Sequence, residues 1–83
     1  MKEDRIRAEV LSLIAKQFSF PEEKILDSLG PGDLNRWDSI GHMQLVQQLE
    51  NHFNISFSVF DIMEFNTVKD ICLTINQLLE DLI

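Results

Sequence analysis

Residues 37–53 read WDSIGHMQLVQQLENHF, and this segment is the most informative part of the chain. It opens with Asp38 and Ser39, two residue types that favour the N-cap of a helix. We expect a helix that starts at one of them and ends near His52 to Asn54, because asparagine tolerates the left-handed conformation that often ends a helix. Apolar residues recur at three- and four-residue intervals and predict a buried face made of Ile40, Met43, Val46, Leu49 and Phe53.

Two further helices are predicted on either side of this segment. The first runs from about Glu3 to Phe18, and its apolar face comprises Ile6, Val10, Leu13, Ile14 and Phe18. The last begins where Thr67 and Asp70 are spaced as in a capping box, with aspartate in place of glutamate. Its apolar face comprises Val68, Ile71, Cys72, Ile75, Leu78, Leu79 and Leu82.

The connections between the helices differ in length. Ser19 to Trp37 is a long loop, in which only Pro21 to Leu26 is expected to form a helical turn. A loop of this length in a compact domain indicates either a function or a wrong assignment, and we interpret it as functional. Ile55 to Phe60 alternates as a strand would, but no other segment offers a pairing partner. We therefore predict an extended entry and a short helix from about Ser58 to Phe65. The whole chain, residues 1–83, is expected to be one monomeric all-α domain, a four-helix bundle with three main helices and one short helix.

The composition excludes several classes of function. Fourteen acidic and seven basic residues give a net charge of -7, which disfavours nucleic acid or an anionic membrane as a partner. From residue 37 onward Lys69 is the only lysine or arginine, so this half favours basic partners or simply gains solubility. No apolar run approaches the roughly 20 residues that span a bilayer, and the N-terminus lacks a signal-peptide core. A cytoplasmic protein without membrane insertion is expected, and the single cysteine, Cys72, excludes an internal disulfide.

A longer pattern surrounds Ser39. It consists of Asp38-Ser39-Ile40, Leu45-Val46, Leu49-Glu50, Phe53, Ile55 and Thr67-Val68-Lys69-Asp70-Ile71. This spacing, with a long loop before it and a capped helix at its end, resembles the acyl carrier protein superfamily, which includes the peptidyl and aminoacyl carrier domains. The resemblance covers nearly the whole chain and implies a four-helix bundle of acyl-carrier type. It also implies that the protein is a carrier and not an enzyme.

The resemblance assigns roles to the residues at the start of the central helix. Ser39 matches the serine to which a phosphopantetheinyl transferase attaches 4′-phosphopantetheine from coenzyme A. Asp38 matches an acidic neighbour that supports this step by helping to hold the magnesium of the transferase. The thiol of the attached arm then carries acyl or aminoacyl intermediates as thioesters. The implied partners are the transferase, an acyl- or aminoacyl-loading enzyme and a downstream acyltransferase or synthase, and tethering keeps each intermediate at high effective concentration.

Partner enzymes are expected to contact Ile40, Met43, Gln47, Glu50 and Ile62, and the first two match apolar contacts of the family. Glutamines stand on the central helix where fatty-acid carriers usually show acids, which predicts apolar and hydrogen-bonded docking in a specialised pathway. Fatty-acid, polyketide, peptide and envelope-modification pathways stay open, and the run around Ser39 is also similar to D-alanyl carrier proteins. Gly41 departs from the family pattern and is expected to loosen the first helical turn or to let a partner approach closely.

Other candidate sites in the sequence are weaker. His42 and His52 have no clustered second ligand, so we expect no metal site and two solvated histidines. His42 lies one helical turn from Ser39, and contact with the arm or with a partner stays open as the alternative for it. Ser39, His42 and Asp38 lie too close together on one helical turn to act as a hydrolase triad. The segment from residue 27 to residue 38 has glycine at the sixth position of a calcium loop but lacks oxygen ligands at the third and fifth.

Several apolar residues are expected to lie inside the bundle. Trp37 is expected to pack beneath the loop, with contact to partners as the alternative, and Cys72 is expected to be buried and unreactive. Phe57, Phe60 and Phe65 are expected to line or plug any space that could shelter an acyl chain, which leaves limited room for long chains. The rival hypothesis is an acidic helical interaction module without a prosthetic group, in which the serine at position 39 is only a helix cap.

Overall fold

The computed structural model describes residues 3–81, which form four α-helices and no strand. These are α1 (Glu3–Phe18), α2 (Ser39–Phe53), α3 (Val59–Met63) and α4 (Val68–Asp81), with one 3-10 turn at Glu22–Lys24 in the first loop. The prediction of an all-α bundle with three main helices and one short helix is therefore confirmed. No helix within residues 3–81 is both long enough and apolar enough to cross a bilayer.

The ends of α2 are set by local signals that the sequence already contains. Asp38 is the N-cap, and its Oδ1 atom accepts a hydrogen bond of 2.8 Å from the backbone N–H of Gly41. Asn54 is the C-cap and has left-handed dihedral angles of φ 56° and ψ 51°. Each cap satisfies backbone groups that the helix itself leaves without partners. Ser39 is therefore the first helical residue and not the cap.

Capping boxes start the two helices in the second half of the chain. Before α4, the Asp70 N–H donates to Thr67 Oγ1 at 3.2 Å, and the Thr67 N–H donates to Asp70 Oδ2 at 3.1 Å. Ser58 and Asp61 exchange the same two bonds before α3. The predicted capping box of α4 is confirmed, and α3 is shorter than the predicted range because it ends at Met63.

The core of the bundle lies between α1, α2 and α4. Most of the residues predicted on the apolar faces of α1 and α4 are buried or half-buried. On α1, Leu13 is only half-buried, and Leu11, which was not predicted to face the core, is buried. Leu82 lies outside the described residues. The largest fully enclosed side chains are Trp37, Ile6, Ile14, Leu45, Leu49, Ile71 and Ile75. Burying each large aliphatic side chain contributes about 1.5–3 kcal/mol to stability.

The predicted buried face of α2 is partly wrong. Ile40 is 72 % exposed and Met43 is 50 % exposed, whereas the buried residues of this helix are Gly41, Leu45, Val46, Leu49 and Phe53. The face is rotated toward Gly41 because the loop before the helix packs against that side of its first turn. Ile40 and Met43 consequently point away from the core.

The long first loop is held against the start of α4 by backbone hydrogen bonds. The N–H of Val68 donates to the Leu29 carbonyl at 2.7 Å, and the N–H of Lys69 donates to the Asp27 carbonyl at 3.0 Å. The loop thus satisfies two of the N–H groups that the first turn of a helix leaves free. Gly30 permits this approach, since a Cβ atom there would lie 1.9 Å from the Asn66 carbonyl oxygen.

Candidate functional site

Ser39 stands exposed at the point where the long loop meets α2. Because Asp38 provides the cap, the hydroxyl of Ser39 is not needed to start the helix. Within residues 3–81 this hydroxyl forms no hydrogen bond, so it is open to reaction from solvent. The role of a mere helix cap, which the rival hypothesis assigns to Ser39, belongs to its neighbour.

A shallow depression lies beside this serine. It is lined by Pro31, Gly32, Trp37, Asp38, Ser39 and His42. One wall is the tight turn of the loop, where Gly32 has φ +93° and its N–H donates to the Trp37 carbonyl at 2.9 Å. Glycine suits this position because other residues rarely adopt a positive φ. The turn brings the end of the loop next to the first turn of α2.

Trp37 anchors the loop beneath the site. Its side chain is 0 % exposed, and its ring stacks on that of Phe18 with the centroids 4.9 Å apart. The indole Nε1–H donates to Nδ1 of His42 at 2.9 Å. The predicted internal packing of Trp37 is confirmed, and the hydrogen bond satisfies the one polar group that burial of an indole would otherwise leave unpaired.

The prediction of two solvated histidines is half wrong. His42 is half-buried between Trp37 and Phe65, and its ring centroid lies 6.3 Å from each of theirs. Burial lowers the pKa of His42 from its ordinary value. His52, at the far end of α2, is exposed as expected, and its Nε2 lies 3.1 Å from Glu9 Oε1.

Gly41 serves the internal packing of the site. A Cβ atom there would lie 2.2 Å from the Arg36 carbonyl oxygen and 2.9 Å from Cε1 of Phe18. The loop backbone can therefore approach α2 only because this residue has no side chain. Close packing against the loop therefore explains why residue 41 is a glycine, whereas the sequence suggested that the glycine loosens the first turn of the helix.

The expected partner-contact residues lie in different environments. Ile40, Met43 and Gln47 are exposed on α2. Glu50 is half-buried, and its Oε2 accepts a hydrogen bond of 2.8 Å from the N–H of Phe57. Ile62 is half-buried against the core. Their contact with partners stays a prediction, and two of the five already have internal roles.

Sequence reasoning missed three exposed apolar residues on α3. Val59, Phe60 and Met63 are exposed, and Phe60 at 80 % is the most exposed of them. The expectation that Phe60 lines or plugs an internal space is wrong, whereas Phe57 and Phe65 are buried and pack edge to face with ring centroids 4.9 Å apart. A helix of five residues is too short for periodicity to reveal its buried side.

Two of the glutamines of α2 form hydrogen bonds with α1, although the sequence suggested that the glutamines are available to partners. Gln17 of α1 donates to Oε1 of Gln44 at 2.8 Å and accepts a hydrogen bond from Gln48. These bonds join α1 to α2. Of the glutamines on α2, Gln47 is the one that is exposed without such a bond within the described residues.

The remaining chemical groups do not assemble into a second site. Within residues 3–81, no three His, Cys, Asp or Glu side chains are placed to hold a metal ion together. Cys72 is half-buried, and burial, followed by the charge of Asp27, raises the pKa of its thiol to about 11. It is therefore a poor nucleophile at neutral pH, as expected of a packed cysteine.

A small helical bundle with an exposed serine at the end of a long ordered loop is the arrangement of a carrier protein. The family of the phosphopantetheine attachment site matches residues 8–75, and the chain belongs to this family. Its structure superimposes on that of the acyl carrier protein from Enterococcus faecalis, a protein described for its high thermal stability, with a TM-score of 0.77. The two share 28 % identity over 94 % of this chain and 99 % of the other. No curated protein matches the chain in sequence.

The chain is thus a carrier protein of acyl carrier type, and its prosthetic group is phosphopantetheine. The residues around Ser39 fit such a group. Their serine hydroxyl is exposed and unbonded within residues 3–81, and a helix N-terminus beside it favours the negative charge of a phosphodiester. The open depression beside Ser39 leaves space for the start of an arm. When attached, the group supplies a thiol that carries cargo as a thioester.

Proposed function

We propose that Ser39 is the residue to which 4′-phosphopantetheine is attached. The observation that carries this proposal is the exposed Ser39 hydroxyl, which the capping of α2 by Asp38 leaves unused. The serine is at the same time held in place, because the helix begins at it and the loop before it is anchored by the buried Trp37. A transferase needs a substrate serine whose hydroxyl is exposed and whose backbone is held in place.

The attachment transfers one phosphoryl-linked group. The Ser39 oxygen forms a bond to the phosphorus that bears the pantetheine in coenzyme A, and the bond from that phosphorus to the bridging oxygen breaks. Adenosine bisphosphate leaves, and the hydroxyl proton passes to a base of the transferase. Asp38 is exposed, and one of its oxygens is engaged with Gly41, so we assign its other oxygen to the magnesium ion of the transferase.

The loaded protein carries acyl or aminoacyl groups in a specialised cytoplasmic pathway. Docking that depends little on charge is supported because Ile40 and Met43 are exposed, and because the carboxylate of Glu50 accepts a hydrogen bond from the backbone N–H of Phe57, in the segment before α3. Of Asp38 and Glu50, the carboxylates of the N-cap and body of α2, Asp38 is then the exposed one that can steer a basic partner. The tight pair of Phe57 and Phe65 favours short cargo over long acyl chains. An aminoacyl carrier of the D-alanyl type, or a peptidyl carrier, is the alternative within this class.

The proposed partners follow from this cycle. A phosphopantetheinyl transferase modifies the protein, a ligase or transferase loads it, and an acyltransferase or synthase accepts the cargo. Ile40 and Met43, with Gln47 beside them, are proposed as the α2 part of the docking surface. The exposed side chains of Val59, Phe60 and Met63 extend the apolar surface of the molecule onto α3.

Intact mass spectrometry tests the attachment. The protein is incubated with coenzyme A, magnesium and a broad-specificity phosphopantetheinyl transferase. We expect a gain of one phosphopantetheine on the wild type and on Ser56→Ala, which removes another exposed serine, and none on Ser39→Ala. Ser39→Ala should remain folded, because the cap of α2 is Asp38. Modification of Ser39→Ala, or no modification of folded wild type by two different transferases, would refute the proposal, and the latter would favour the interaction module.

Two substitutions of Asp38 separate its capping role from its charge. Asparagine caps a helix about as well as aspartate, whereas alanine lowers stability by roughly 0.5–2 kcal/mol. Asp38→Asn should therefore keep the stability of the wild type but slow the transferase reaction. Asp38→Ala should lower both the stability and the rate of modification. If Asp38→Asn is modified at the wild-type rate, the carboxylate has no part in holding magnesium.

A further inference from the structure

The two nitrogens of the His42 ring have different surroundings. Nδ1 accepts the hydrogen bond of 2.9 Å from Nε1 of Trp37. An indole N–H can only donate, so Nδ1 must be free of a proton, and the neutral ring carries its proton on Nε2. Within residues 3–81, no group forms a hydrogen bond with Nε2 of His42. Trp37 therefore fixes the ring as a neutral donor whose N–H has no protein partner.

This donor lies on the same side of α2 as Ser39. The two residues are three positions apart, a spacing that places side chains next to each other on a helix. Both line the depression at the end of the long loop. Asp38, at the start of the helix, is the one charged residue among those that line it, and one oxygen of its carboxylate is engaged with the N–H of Gly41.

The other elements packed around the ring of His42 bring no charge to it. The loop contributes Pro31, Gly32 and the indole of Trp37. The connection between α3 and α4 contributes the ring of Phe65, edge-on to the imidazole. The side chain of His42 thus borders a depression that is open to solvent and is lined by no lysine or arginine of the described residues.

We propose that His42 is a second contact of the prosthetic group, and that its Nε2–H donates a hydrogen bond to an oxygen of the phosphodiester on Ser39. The proposal rests on the attachment at Ser39. The contact would hold the base of the arm over the depression, so that the arm leaves the protein in a restricted direction. Trp37 acts as a positioning residue, because its N–H sets which ring nitrogen bears the proton.

The apo and modified proteins differ in a measurable way if this contact forms. A phosphodiester beside the ring stabilises the imidazolium form, so attachment should raise the pKa of His42 by about one unit. His52, at the other end of α2, provides an internal control, because attachment at Ser39 should leave its resonances unchanged. NMR titration of the two imidazoles, with the mass gain measured on the same samples, gives the comparison. Nitrogen shifts of apo protein should also show the proton of neutral His42 on Nε2.

The outcomes distinguish this contact from the attachment itself. If the mass gain occurs and the pKa of His42 is the same in both forms, the contact is refuted and the attachment stands. A proton on Nδ1 of neutral His42 would refute the role of Trp37 and the donor with it. If Ser39 is not modified at all, the attachment fails, and so does the contact.

A substitution gives a second readout that does not depend on the pKa of the ring. Asparagine at position 42 keeps an oxygen near the place of Nδ1 for Trp37 but cannot reach as far as Nε2. A phosphodiester keeps the same charge between pH 5 and 8, so its phosphorus resonance in the modified wild type should shift with pH only as His42 titrates. We expect this shift to disappear in His42→Asn. An unchanged phosphorus titration in the variant would overturn the proposal, and fluorescence of the single tryptophan reports whether the variant is folded.

Discussion

Replacing Gly41 with alanine tests the packing that shapes the site. On an open helix this change would stabilise the protein by roughly 1 kcal/mol, because alanine favours the helix more than glycine does. Here the new Cβ atom would lie 2.2 Å from the Arg36 carbonyl oxygen. A carbon and a carbonyl oxygen normally stay about 3.3 Å apart. The loop backbone must therefore move away by about 1 Å.

The magnitude follows from what obstructs the new methyl group. Overpacking a well-packed site costs about 1–3 kcal/mol, and the upper end applies because the obstacle is backbone and the ring of Phe18 lies 2.9 Å from the same atom. After subtracting the gain in helix propensity, Gly41→Ala should lower the free energy of unfolding by about 2 kcal/mol. The sign of the effect decides between an internal contact and a glycine that merely loosens the helix.

Urea denaturation followed by circular dichroism and tryptophan fluorescence measures this change. Gln47→Ala is the matched control, because Gln47 is exposed on the same helix, and we expect an effect within about 0.5 kcal/mol. The transferase reaction at Ser39 should also slow in Gly41→Ala, since the loop and the start of α2 can no longer keep their positions. An alanine variant as stable as the wild type, or more stable, would refute the reasoning.

Three further predictions concern the core, a helix cap and the cysteine. Leu49→Ala should lower stability by roughly 2–5 kcal/mol in urea denaturation, because the side chain is fully buried, and a loss below about 1 kcal/mol would contradict its place in the core. Thr67→Ala should lower stability by about 0.5–2 kcal/mol, since it removes the acceptor for the Asp70 N–H, and an unchanged unfolding midpoint would count against the capping box. Cys72 should react with a disulfide reagent about 100-fold more slowly than a free thiol at pH 8, because burial raises the pKa of its thiol from 9.0 to about 11 and so lowers the thiolate fraction. Its raised pKa favours the folded state below pH 9, and this contribution is lost as the pH rises toward 11; full reactivity of the folded protein at pH 8 would contradict the burial.

The positions at which the main helices begin and end could be predicted from local sequence signals. Glu3 and Phe18 bound α1 as predicted, Asn54 ends α2, and the capping box before α4 forms with the aspartate that the sequence suggested. These features could be predicted because each depends on side chains that reach backbone groups within a few residues of themselves. The position of Ser39 at the N-terminus of α2 follows from the same local signals.

Which sides of the helices face the core depends instead on contacts between distant segments of the chain. Ile40 and Met43 turned outward because the loop ending at Trp37 occupies the opposite side of α2. The apolar side chains of α3, among them Phe60, lie exposed although their sequence suggested a role inside. Local periodicity cannot show which distant segment will cover a helix, and five residues hold too little of it to choose a face.

The hydrogen bond between Trp37 and His42 also depends on the tertiary structure. The two residues stand near each other in the chain, but the hydrogen bond between them exists only because Phe18 and Phe65, from distant parts of the sequence, enclose their rings. Local side-chain signals therefore placed Ser39 at the start of α2, whereas long-range packing shaped the surface around it. That packing is set by the burial of apolar groups from all parts of the chain at once, which no single stretch of sequence specifies.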